Sequence, residues 1–153
     1  MKFKIILYPC SNSTKINWHL STEFSLKVAI PLSYFLSEKQ NPATDSDLLR
    51  REGASVHAFL IALNKAYHKT KQFHSISIVY YDKSEHKNTR VLDNFLEGLT
   101  LANYTFYKHK TSISDETFKI KTSISDKVTS AAINGTCIAR DLINEPLSHL
   151  NAE

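Results

Sequence analysis

Residues 3–8, Phe-Lys-Ile-Ile-Leu-Tyr, read as a buried strand, and residues 24–30 as a second, with Phe24, Leu26, Val28 and Ile30 in alternation and Pro31 closing it. Between them residues 11–14 form a polar turn, and residues 15–20 allow a short extra strand. The polar stretch 37–46 predicts a loop. A helical period then takes over: Asp45 or Asp47 is placed to cap a helix whose stripe runs through Val56, Leu60, Leu63 and Tyr67 toward the sheet. Residues 74–81 return to strand alternation and lead into a loop at 82–87, after which Val91, Phe95, Leu99, Ala102 and Phe106 mark one face of a second helix. Residues 117–124 alternate once more, and Asp126 is placed to cap a last helix with an inner face of Val128, Ala131, Ala132, Gly135, Ile138, Ala139 and Leu142.

Strands alternating with helices predict an α/β fold of three layers, a mixed or mostly parallel sheet with helices on both faces. The strand order is not readable from the pattern. Lys-Thr-Ser-Ile-Ser-Asp occurs at 110–115 and again at 121–126, but two copies do not make a repeat architecture.

The chain has 153 residues, 42% of them hydrophobic and 22% charged, which suits one compact domain. A net charge of +4 is spread along the sequence and points only weakly to a polyanion. Lys65, His68, Lys69 and Lys71, with Lys108, His109 and Lys110 beside Tyr104 and Tyr107, are the densest basic clusters, and lysines at helix ends explain them equally well. DNA is therefore a weakly supported partner. Cys10 and Cys137 lie far apart in sequence, without the dense spacing of a disulfide framework, so reduced thiols are expected; no apolar run approaches the length of a membrane span, so a cytoplasmic setting is expected.

Little in the chain points to chemistry. Its three glycines do not cluster, so no loop is built to cradle phosphates. The seven histidines form no ligand pair at helical or strand spacing. Asp93 and Glu97 share a helical face, where Arg90 is placed to offset their repulsion in a solvated patch. Asp82, Glu85 and His86 occupy the loop after a central strand, the place where open α/β sheets bind ligands.

The segment Ala-Arg-Asp-Leu-Ile-Asn-Glu-Pro at 139–146 ends the last helix at a proline and resembles the junction between the N-terminal and catalytic domains of the leucyl aminopeptidase family. Residues 95–106, containing Glu97-Gly98-Leu99 and Tyr104-Thr105-Phe106, and residues 50–54, Arg-Arg-Glu-Gly-Ala, are similar to earlier helices of that family's N-terminal domain. The resemblance implies a macro-like fold over residues 1–146, with 147–153 opening a linker to a catalytic domain outside this sequence. It implies no catalytic residue, cofactor site or metal ligand here. Two divalent metal ions, Zn or Mn, belong to the other domain, which in such enzymes takes peptide substrates within a homo-oligomer, commonly a hexamer. Arg140, Asp141, Asn144, Glu145 and Pro146 are then the expected interdomain anchors. The alternative is a free-standing macro-like domain that binds a nucleotide or ADP-ribose.

Overall fold

The computed structural model describes residues 1–36, 42–81, 89–106, 117–122 and 127–146. The elements are β1 (Lys2–Cys10), β2 (Asn17–Thr22), β3 (Ser25–Pro31), α1 (Ser33–Leu36), α2 (Pro42–Ala66), a 3₁₀ turn at Lys69–Lys71, β4 (Ser75–Tyr80), α3 (Thr89–Ala102), β5 (Lys119–Thr122) and α4 (Lys127–Asn144). The strands form one five-stranded sheet in the order β2-β3-β1-β4-β5. Strand β1 pairs parallel with β3 and β4, β5 pairs parallel with β4, and β2 is antiparallel to β3. This is an α/β fold with a mixed, mostly parallel sheet flanked by helices, the class that the alternation predicts.

The crossover from β3 to β4 through α2 and the one from β4 to β5 through α3 step in the same direction across the sheet. Right-handed connections therefore set α2 and α3 side by side on one face. That face is lined by Phe3, Ile5 and Leu7 of β1, Leu26 and Val28 of β3, and Ile76 and Ile78 of β4, all buried together with Val56, Leu60, Phe95 and Leu99 of the helices. Alternation turns Lys4, Lys27, Lys119 and Lys121 to the other side of the sheet, where they are exposed.

Helices α2 and α3 approach closely because each offers a glycine at the crossing. A Cβ at Gly53 would meet the Phe95 carbonyl oxygen and lie 2.8 Å from the Leu99 nitrogen, and one at Gly98 would lie 2.6 Å from the Arg50 carbonyl carbon. Beside this contact Arg50 Nε donates to Glu97 Oε2 at 2.9 Å, and Arg50 Nη1 reaches Asp47 Oδ1 at 3.2 Å.

Each crossover is closed by the same device. Asn64 on α2 donates through Nδ2 to the Phe73 carbonyl at 3.0 Å, and its Oδ1 accepts the Phe73 N–H at 2.9 Å. Asn103, just past α3, donates to the Phe118 carbonyl at 2.8 Å and accepts the Phe118 N–H at 2.9 Å. An asparagine amide thus stands in for a neighbouring strand at the two phenylalanines that precede β4 and β5, satisfying backbone groups that would otherwise be lost from water. The two rings stack with centroids 5.2 Å apart.

Three local expectations change. The loop expected over 37–46 becomes helix from Pro42, since proline is accepted in a first turn whose N–H groups lack intrahelical partners; residues 37–41 lie outside the described residues. Asp45 and Asp47 consequently sit inside α2 rather than at its cap. Phe106 falls beyond α3, which stops at Ala102. The third change is the rotation of α4. The face expected inward is turned outward, with Ala131, Ala132, Gly135, Ile138, Ala139 and Leu142 exposed, while Ile133 is buried and Thr129, Cys137 and Arg140 are partly covered. Polar contacts from Arg140 and Asp141 to the end of α3 set this rotation. The expected caps Asp126 for α4 and the strand end at Ile124 lie outside the described residues.

Candidate functional site

Leu101 lies in the last turn of α3, where its carbonyl accepts the Tyr104 N–H at 3.3 Å and has room for a second donor. Arg140 Nη1 donates to that oxygen at 2.8 Å and spreads its guanidinium 5.4 Å from the Tyr104 ring centroid. A cation here also meets the negative end of the α3 dipole. Tyr104 in turn donates to Asp141 Oδ1 at 2.7 Å, and Asn144 Nδ2 donates back to the Arg140 carbonyl at 2.8 Å. The Glu145 N–H bonds to the Leu142 carbonyl at 3.3 Å, and Pro146 is exposed. Of the junction residues, Arg140 and Asp141 are thus engaged within this domain and clamp α4 to α3, while Asn144, Glu145 and Pro146 complete the helix end. Residues 147–153 lie outside the described residues.

The clamp has a consequence on the far side of α4. Ile138 is 60% exposed, Leu142 57% and Ile143 82%, and Gly135 has nothing near its missing side chain. A continuous apolar helix side facing solvent is what a docking surface requires.

The other sequence candidates do not converge. Asp93 is buried at 3% exposure rather than solvated, and Glu97 is held by Arg50 across the helix crossing. The geometry differs from the expectation because α2 packs over this face of α3. Lys71 pairs with Glu23 at 2.9 Å, but both side chains are half exposed, so the pair adds little stability. Among the described residues no group of three or more His, Cys, Asp or Glu side chains stands close enough to hold a metal ion, and both cysteines are free. Asp82, Glu85, His86, Lys108, His109 and Lys110 lie outside the described residues.

His57 is a structural residue that spacing alone did not single out. It is 8% exposed, packs edge-on against Phe118 and contacts Asn103 Oδ1 through Nε2 at 3.0 Å. Because that oxygen accepts the Phe118 N–H and can only accept, Nε2 is the donor. Burial pushes the His57 pKa below its usual 6.5, only partly offset by the Asn103 hydrogen bond. Between the lowered value and 6.5 the unfolded chain binds more protons, so this contribution is complete above pH 6.5 and is lost as the pH falls through the folded value. Urea melts between neutral and mildly acidic pH should show that loss, and a His57→Gln variant should show a shallower slope; equal slopes would remove His57 from the account.

No protein-family model matches the chain, and no curated protein matches its sequence. Among solved structures it is similar to the bottromycin maturation enzyme BotP, solved in complex with Mn, with a TM-score of 0.51 at 14% identity. The match covers 96% of this chain and 33% of BotP, so the chain spans about a third of that enzyme's length. At this identity the similarity concerns the fold, an α/β domain of the same architecture. No helix among the described residues is long and apolar enough to cross a membrane.

Proposed function

We propose that this chain is the non-catalytic N-terminal domain of a metal-dependent leucyl-type aminopeptidase, and that the outer side of α4 meets the catalytic domain of the same polypeptide. The exposed apolar side of α4 carries the reading. A helix held in place by Arg140 and Asp141 keeps Ile138, Leu142 and Ile143 exposed, an apolar side suited to a partner domain. The three segments that carry the family resemblance also form one chain of contacts. Residues 50–54 meet 95–106 at the glycine crossing, and 139–146 meet 95–106 at Leu101 and Tyr104. A match to one third of a larger, manganese-bound enzyme is compatible with a domain of such a protein.

On this reading activation of water for attack on a peptide carbonyl is supplied by two divalent ions, Zn or Mn, bound in the catalytic domain. The present domain contributes assembly and access, in a cytoplasmic, oligomeric, peptide-cleaving enzyme. The test is a double substitution, Ile138→Glu with Leu142→Glu. In the isolated domain stability should change by no more than about 0.5 kcal/mol, as for surface positions. In the longer protein the same pair should lower both assembly, read by light scattering, and peptidase activity at least tenfold. Wild-type assembly and activity in that variant, or a reading frame that stops at Glu153, would overturn the proposal.

A further inference from the structure

On the side of the sheet away from α2 and α3 the register arranges the lysines in rows. Lys2 and Lys119 flank Ser75, while Lys4 and Lys121 flank Ser77, with Ser25 on the other side of Lys4. Lys27 follows one step along, with His19 opposite it on β2. All five lysines and His19 are exposed. Strand geometry sets the lysines of one row about 10 Å apart and successive rows about 7 Å apart. The serines keep like charges from standing directly opposite each other, where they would repel most.

Lysine is a poor strand former, and β1 is the central strand, so protection of a sheet edge does not explain Lys2 and Lys4. A face kept polar only for solubility would mix both signs. This one has a single sign: among the described residues the carboxylates lie at Glu23, on α2, α3 and α4, and just past α4. Toward the other end of the same face come Tyr8, on β1, and Tyr81, which follows β4 in the same alternation and is 54% exposed.

We propose that this lysine-bearing sheet face binds single-stranded nucleic acid, with the lysine and serine rows on phosphates and the tyrosines beneath bases. Rows of cations alone would suit any polyanion; the neighbouring aromatic rings favour one that has bases to stack. The inference is independent of the domain's place in a larger enzyme. It rests on different residues from the basic clusters at 65–71 and 108–110.

The probe is a labelled oligo(dT) or oligo(U) of roughly 20 nucleotides, followed by fluorescence anisotropy, a length that spans the face. Five phosphate contacts should give a slope near −3.5 in log affinity against log salt, about a hundredfold loss from roughly 50 to 200 mM. Lys4→Glu with Lys121→Glu should weaken binding at least tenfold, with the fold checked by circular dichroism. The charge-matched control Lys65→Glu with Lys69→Glu should stay within twofold of wild type. Equal loss in both variants, absence of binding at the lower salt, tighter binding of duplex DNA, or equal binding of poly-glutamate, which would indicate an acidic protein partner, would each overturn the proposal.

Discussion

Gly98→Ala is expected to destabilise the domain by about 3 kcal/mol or more, at or above the upper end of what overpacking costs. In an isolated helix the same change would add about 1 kcal/mol of stability, because alanine gives up less backbone freedom than glycine. The sign reverses here because the new Cβ would meet the Arg50 backbone rather than a side chain able to swing aside. Relief would require α2 and α3 to separate, which would pull Arg50 from Glu97 and loosen Val56, Leu60, Phe95 and Leu99 over the sheet. Gly53→Ala should behave alike, facing the Phe95 and Leu99 backbone. Gly135→Ala is the internal control: with nothing near its Cβ it should stabilise the isolated domain by about 0.5–1 kcal/mol. Urea unfolding of the three variants measures all of this, and a stabilised Gly98→Ala would show that the helices do not touch as described.

Asn64→Ala should cost about 3 kcal/mol. The side chain is buried and pairs with both the N–H and the carbonyl of Phe73, so its removal strands two backbone groups at a penalty of about 1–3 kcal/mol each. Asn64→Asp retains an acceptor for the Phe73 N–H but turns a second oxygen toward the Phe73 carbonyl, and should rescue little. Hydrogen exchange at the Phe73 amide separates this account from simple loss of packing. The alanine variant should lose protection there before the amides of β1 do, whereas uniform loss across the sheet would place the cost elsewhere.

The same residues show what was legible in the chain beforehand. The alternations at 3–8, 24–30 and 74–81 became β1, β3 and β4, and the stripes through Val56 and Leu60 and through Val91, Phe95 and Leu99 became the inner faces of α2 and α3. The reading of α4 missed. Its small apolar residues form the most hydrophobic stripe and so pointed inward, yet its rotation is set by Arg140, Asp141 and Tyr104, polar groups whose partner lies on another helix. The lysines now placed on one sheet face were scattered charges in the sequence, because three separate strands supply them.

The sequence alone determined which side chains share a face of each strand and helix, since that depends only on spacing of two or 3.6 residues along a local backbone. It likewise determined the α/β class, through the order of those periods. The strand order, the gathering of α2 and α3 on one side, the glycine crossing, the asparagine clamps, the burial of His57 and the outward side of α4 were decided by tertiary structure. Each depends on contacts between distant segments, such as His57 with Asn103 and Arg50 with Glu97, and on the handedness of crossovers, neither of which leaves a periodic mark on the chain.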